Sequence, residues 1–302
     1  ASDVYKRQVQ DQALNAVRSH TAPDAAGVAE VMNVVKPGTD SRKVLAMVSS
    51  RTYGLDLENN ETLLPQPNSL VGNGAGSVFK LFTAAAALES GYGIKDRLAV
   101  PKRYEAEGLG FGGAENCPPN KYCVENAGNY ASTMTLQDTL AYSPNTPFIE
   151  LIEQLGVEQV VDMAVKLGLR SYKDPGSYDG NSSIADHIKE SNLGSFTLGP
   201  TAVNALELSN VGATVASEGM WCEPNPIEEV TDAHGNEVYL KHTPCERAVG
   251  KEVAKALENN MTADTEKGTA SASARAAGFR GQAAAKTLSL IHISEPTRQA
   301  EI

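Results

Sequence analysis

Val71-Gly-Asn-Gly-Ala-Gly-Ser77-Val-Phe-Lys80-Leu-Phe-Thr83 is a glycine-rich loop that runs straight into an apolar, alanine-rich segment at 79–88. The segment predicts a buried helix, because no polar face recurs at helical spacing. Ser77 sits where loop becomes helix, and Lys80 follows three residues on. Side chains at i and i+3 share a helix face, so hydroxyl and amine point into one space. A serine at a helix N-terminus also meets the positive end of the macrodipole, which favours negative charge developing on its oxygen. The pair fits a serine nucleophile with a built-in amine. The blander reading is a helix-capping serine beside a solvated lysine, which the apolar neighbours of Lys80 disfavour. A phosphate loop is excluded, because Lys80 is followed by Leu81 rather than Ser or Thr.

Outward from this stretch, residues 9–20 predict a short helix. Residues 27–35 and 43–51 are apolar, β-rich runs joined by Lys-Pro-Gly-Thr-Asp, a hairpin signal. Residues 101–131 carry many Gly, Pro and Asn and are expected to form a long covering loop. Helical patterns occupy 135–142, 146–155, 157–167 and 200–217. A second hairpin is expected at 226–240, around Asp232-Ala-His-Gly-Asn236. Residues 250–261 are amphipathic, and 282–287 read as the start of a strand. Strands, then many helices, then a returning strand predict an α+β fold: an antiparallel sheet with a helical cluster beside it. The first hairpin and the last strand are expected to share that sheet.

The net charge of −11 over 302 residues argues against nucleic acid or an anionic membrane surface as partner. No apolar run approaches the ~20 residues of a membrane span. Four cysteines allow three pairings. The local ones, Cys117–Cys123 and Cys222–Cys245, are geometrically easiest and would imply an oxidising, exported setting. The spacings match no zinc signature, so no metal is expected. The ends, ASDVYKRQ at 1–8 and LSLIHISEPTR at 288–298, can be encoded by transposase adapter DNA used in library preparation. Residues 1–8 and 288–302 are therefore expected to be foreign, with one incomplete domain at 9–287. The gene in its genomic context tests this.

Two further patterns carry chemistry. Ser143-Pro144-Asn145 interrupts a helical pattern, because proline disfavours helix at the residue before it. A turn there places a hydroxyl and an amide side by side, suited to proton relay and amide binding, although a simple helix stop gives the same sequence. Lys286-Thr287 ends a stretch of small residues, Gly281 to Ala285, where a ligand can lie close and its carboxylate can meet a lysine and a threonine. The histidines form no cluster, and there is no Gly-x-Ser-x-Gly elbow.

Ser-x-x-Lys, Ser-x-Asn and Lys-Thr in this order resemble the penicillin-recognising acyl-serine enzymes. Residues 9–287 resemble the transpeptidase domain of penicillin-binding proteins, nearest to the class A, bifunctional kind. Val44-Leu45-Ala46-Met47 before Tyr53-Gly54 is similar to the family's first hairpin, and 194–210 to the helix behind its site. The resemblance implies that Ser77 attacks the carbonyl of a D-alanyl-D-alanine stem peptide of peptidoglycan, and that an amine of a neighbouring stem takes the acyl group. It implies Lys80 as base, Ser143 as proton relay, Asn145 as amide binder, and Lys286 and Thr287 as partners of Ser143 and the substrate carboxylate. It implies acylation by β-lactam antibiotics, no cofactor, and action at the extracytoplasmic face of the bacterial membrane. An upstream glycosyltransferase domain and membrane anchor are expected in a full-length protein.

The sequence departs from the family pattern at its third motif. Leu288 stands where a glycine lets substrate lie against the strand, and the second oxyanion donor would come from just beyond it. Losing one such donor can cost ~10²–10³ in rate. The 302-residue chain is therefore expected to be nearly inactive and poorly stable, and a stoichiometric burst of penicillin labelling would refute that. A D,D-carboxypeptidase or β-lactamase-type hydrolase, or a non-catalytic penicillin-binding sensor, shares the same motifs. The long spacing from Ser77 to Lys286 and the lack of a Glu-x-x-Leu-Asn segment disfavour a compact β-lactamase.

Overall fold

The computed structural model describes residues 7–72, 74–227 and 229–288. The chain divides into two compact units. The first comprises 1–72, 167–171 and 203–249; the second comprises 73–166, 172–202 and 250–302.

In the first unit, strands Val31–Val35 and Val44–Ser49 pair antiparallel, with Val31 opposite Ser49. Strict alternation in the second strand buries Val44, Ala46 and Val48, as a strand with one covered face requires. The helix Arg7–His20 sets Ala13 and Val17, one turn apart, onto Ala46 and Val48. Gln10 reinforces the contact: its side-chain amide both donates to the Met47 carbonyl and accepts from the Met47 N–H, each at 2.9 Å. The helix Ala205–Ala216 packs on Val31–Val35. Arg42 is buried, and no carboxylate among the described residues pairs with it. Its guanidinium donates to the carbonyls of Ala213 and Met220 and to the Ser217 hydroxyl, at the C-terminal end of that helix, where the dipole favours a cation. Burial still lowers its pKa to about 10. The expected second hairpin is short: Thr231 bridges Glu237 antiparallel, the Val238 N–H donates to the Val230 carbonyl and the Asp232 N–H to the Asn236 carbonyl. Cys222 and Cys245, which bracket it, are joined.

The second unit is built round the helix Lys80–Glu89, whose residues Lys80 to Leu88 are all buried. Four consecutive alanines, Ala84 to Ala87, let neighbours approach on every side. Helices Thr146–Leu155 and Lys251–Glu266 pack against it, as does Leu136–Tyr142. The one hydroxyl in this apolar setting, Thr83, is satisfied by Thr197 at 2.6 Å. Phe79, Phe82, Phe196 and Tyr172 close the core with ring centroids 5.2–6.4 Å apart.

Three expectations are corrected here. Residues 101–131 are not a plain loop. Arg103–Glu107 pairs antiparallel with Lys121–Glu125, and Gly112–Gly113 joins in parallel. The outer face is held by cross-strand charge, Arg103 on Glu125 and Lys121 on Glu107, which hides the apolar alternation. A Cys117–Cys123 disulfide ties the loop back to the central strand of this sheet. The 194–210 stretch is not one helix: Gly194–Leu198 is a 3-10 turn, Gly199 breaks it in the left-handed region, and the α-helix begins at Ala205 behind its Asn204 cap. Residues 282–287 form no strand and share no sheet with the first hairpin. Their bonds run to the Lys251–Glu266 helix, from Ala285 N–H to the Met261 carbonyl and from the Thr265 hydroxyl to the Ala283 carbonyl.

Candidate active site

Ser77 lies in a 3-10 turn, Gly76–Phe79, that leads into the Lys80–Glu89 helix. The sequence predicts an α-helical face; the tighter turn does more, because with three residues per turn positions i and i+3 eclipse. Ser77 and Lys80, three residues apart, therefore lie on the same side of this turn, and the Lys80 N–H donates to the Ser77 carbonyl. The glycine loop fits because two backbones meet behind it. Gly76 N–H donates to the Gly199 carbonyl at 3.0 Å, and a Cβ on Gly74 would come within 2.0 Å of that oxygen. Ser77 is 7% exposed and Lys80 fully buried, so the reading of a solvated lysine fails.

The Lys80 amine donates to the Ser143 carbonyl at 2.7 Å and to Asn145 Oδ1 at 2.8 Å, and it lies 3.1 Å from Ser143 Oγ. Its pKa is pushed well below that of an ordinary lysine, first by burial and second by the charge of Lys286. A neutral amine has two N–H groups and one lone pair. Two pure acceptors take the N–H groups, which leaves the lone pair for a hydroxyl.

Ser143 ends the helix Leu136–Tyr142 in the left-handed region, at φ 61. A non-glycine residue held there costs roughly 1–3 kcal/mol, and the surroundings must impose it. Here Lys80 grips both its carbonyl and its hydroxyl. Asn145 occupies the N-cap position of the next helix yet makes no capping bond. Its side chain accepts from Lys80 and donates to the Glu125 carbonyl. The cap comes from Asn126, whose Oδ1 accepts the Asn145 and Thr146 N–H groups at 2.6 and 3.1 Å. That remote cap frees Asn145 for the site. A cavity of about 480 Å3, lined by Asn145, Asn126, Glu125 and Leu198 among others, opens beside it.

From the far side, Lys286 Nζ donates to Ser143 Oγ at 3.0 Å and to the Thr287 carbonyl at 3.1 Å. Burial lowers its pKa to about 8, against an opposing pull from Asp264. Thr287 bonds to the Thr269 hydroxyl through its own hydroxyl and donates its N–H to Asp264 Oδ2. Thus Lys80, Ser143, Asn145, Lys286 and Thr287 converge, with two amines on one hydroxyl and Ser77 on the turn that carries the first amine. Leu288 follows, half exposed. Asn126, Thr269 and Asp264 are site residues that sequence reading missed. Only Asp264 leaves a signal: it continues the buried stripe of Leu257 and Met261 on its helix.

Residues 34–287 match the family described as the penicillin binding protein transpeptidase domain. This chain belongs to that family. Among curated relatives of this transpeptidase family, the peptidoglycan D,D-transpeptidase PbpA of Mycolicibacterium smegmatis is 28% identical over 284 residues. That match takes in 85% of this chain and 54% of the relative, so the chain spans about half the length of that protein. Two solved structures share the fold. Penicillin-binding protein A of Mycobacterium tuberculosis, solved as an imipenem acyl-enzyme complex, gives a TM-score of 0.65 at 21% identity, covering 87% of this chain and 62% of that one. The D,D-transpeptidase domain of a peptidoglycan glycosyltransferase from Eggerthella lenta gives 0.65 at 23% identity, covering 88% and 66%. Among the described residues no helix is long and apolar enough to cross a membrane, and no group of side chains is arranged to hold a metal.

Proposed function

We propose that this chain carries an acyl-serine D,D-transpeptidase site that takes peptidoglycan stem peptides and is acylated by β-lactams. The observation that carries this is the N···O···N bridge, Lys80 and Lys286 on one Ser143 hydroxyl, with the buried Ser77 three residues before Lys80 on the turn that leads into its helix. In this reading Ser77 Oγ attacks the carbonyl of the penultimate D-alanine and its proton passes to Lys80. Ser143 hands that proton to the departing amine of the terminal D-alanine, which leaves an ester on Ser77. An amine of a second stem then attacks the ester, forms the cross-link and returns the hydrogen to Ser77. The backbone N–H of Ser77 stabilises the oxyanion. Asn145 holds the donor amide, and Lys286 with Thr287 meets the carboxylate. Substrates of this kind lie at the extracytoplasmic face of a bacterial membrane, where the two disulfides also persist.

The test is labelling with fluorescent penicillin, followed by mass spectrometry of the labelled peptide. The expected result is slow, single-site labelling of Ser77, absent in Ser77→Ala. Equal labelling of the Ser77→Ala protein, or no labelling at any time, refutes the reading. Transfer is then separated from hydrolysis by adding a D-amino-acid acceptor and measuring the exchanged product against the hydrolysed one.

The pH dependence follows from the two lysines. Acylation needs Lys80 neutral and Lys286 charged. The rate should rise as Lys80 loses its proton and fall above about 8, where Lys286 loses its own. Linkage to stability has the opposite sense for Lys286. Its pKa is depressed on folding, so the unfolded chain binds more protons above about 8, and stability should rise from there towards the ordinary lysine pKa. Urea midpoints across this range should rise in the parent and rise less in Lys286→Met, where only the depressed Lys80 still contributes.

A further inference from the structure

We propose that Asp264 is a positioning residue of this site, the node of a closed ring of hydrogen bonds that fixes Lys286 against Ser143. The ring can be followed atom by atom. Lys286 Nζ donates to Ser143 Oγ. Two residues before Ser143, the Ala141 carbonyl accepts the Thr269 N–H at 3.1 Å. The Thr269 hydroxyl donates to Asp264 Oδ1 at 2.9 Å, and Ala270 N–H donates to the same oxygen at 3.0 Å. Asp264 Oδ2 accepts the Thr287 N–H at 3.0 Å, which leads back to Lys286. The two walls of the site, the turn at Ser143 and the segment at 286–287, thus reach each other through one carboxylate.

The packing allows no looser arrangement. Asp264 is fully buried. A Cβ on Gly268 would meet the Ala141 carbonyl at 2.5 Å and Asp264 Oδ1 at 2.7 Å, so a glycine is needed for the closest approach. The segment it anchors has no strand ladder among the described residues, so Asp264 supplies backbone anchoring that a sheet would otherwise give. The carboxylate accepts three donors and gives none, which suits its ionised form. Charge matters as well as shape. The titratable groups set against Lys286 are Lys80, from the central helix, and Asp264, from the Lys251–Glu266 helix. Lys267, at the end of the latter helix, is paired with Asp138. Asp264 is thus the negative group that keeps Lys286 protonated beside a second amine.

This role rests on the transpeptidase reading for its consequence, though not for its main test. Asp264→Asn keeps the shape, but either orientation of the amide sets an NH2 against a backbone N–H. With lysines labelled at Cε with carbon-13, the Lys286 resonance, assigned by its loss in Lys286→Met, gives its titration midpoint by NMR. Asp264→Asn should lower that midpoint by about one unit and slow Ser77 acylation by roughly 10²-fold, with the basic limb of the rate profile moved to lower pH. A folded Asp264→Asn protein whose Lys286 midpoint stays where it was overturns the role. If Asp264→Asn does not fold, Thr269→Val removes the hydroxyl link to Asp264 Oδ1 and leaves the carboxylate and its Ala270 N–H link. It should slow acylation with the Lys286 midpoint unmoved, and a parent-like rate overturns the ring. Failure of the parent to label Ser77 counts against the transpeptidase reading instead, and the titration still decides Asp264.

Discussion

A Lys80→Met protein should lose acylation at Ser77 by a factor of about 10²–10⁴ while remaining folded. Methionine matches the length of the lysine stem and suits a site with no exposure. Nothing charged or polar then needs desolvation at that position. Three groups lose a partner: the Ser143 carbonyl, Ser143 Oγ and Asn145 Oδ1. A buried acceptor left unmade costs about 1–3 kcal/mol, and the relief of burying no amine offsets part of it. The fold should therefore move little, while the group proposed to accept the Ser77 proton is gone. Alanine is the poorer probe, because the cavity it leaves can cost ~2–5 kcal/mol and confuse the two effects. The measurement is the time course of fluorescent-penicillin labelling, with the urea midpoint beside it. Labelling at the parent rate removes Lys80 from the mechanism. Slow labelling with a collapsed urea midpoint would assign the lysine a structural role only.

Lys80 also shows how far local sequence carries such an argument. The apolar run on one side and Ala75-Gly76 on the other leave a lysine little access to water, so its burial is legible from neighbours alone. The same holds for the break at Ser143, where Pro144 cannot sit comfortably after a helical residue. What was not legible depends on partners far away in the chain. The sheet at 103–125 is closed by ion pairs on its outer face, and charged residues in strands look like loop in a single sequence. The segment 282–287 has the composition of a strand but finds its donors and acceptors on a helix 20 or so residues earlier. Asn126 caps a helix it does not adjoin, so the capping rule for adjacent residues misses it. Asp264 did leave a mark, a carboxylate on a buried stripe. A charge in that place needs partners of its own, and in this fold they are the walls of the site.

Gly199→Ala should destabilise the protein by about 2–5 kcal/mol and slow Ser77 acylation by roughly 10²-fold. Two separate effects add. Gly199 has φ +69, a conformation that any Cβ strains. Its Cβ would also stand 2.3 Å from the Gly76 carbonyl oxygen, 2.7 Å from the Gly76 nitrogen and 2.9 Å from the Gly76 carbonyl carbon. Those atoms are backbone, so no rotamer change relieves the overlap. Either the Gly199 loop or the turn that carries Ser77 must move by about an ångström, and a shift of that size at a nucleophile is enough for the rate loss. The comparison that isolates the overlap is Gly91→Ala. Gly91 has φ +97 with nothing within 4 Å of its added Cβ, so it bears the backbone strain alone. Urea midpoints should fall in both proteins and fall further in Gly199→Ala, while only Gly199→Ala slows labelling. If the two variants shift equally and label at one rate, the contact between Gly76 and Gly199 does not position Ser77, and the glycines of the loop serve its turns only.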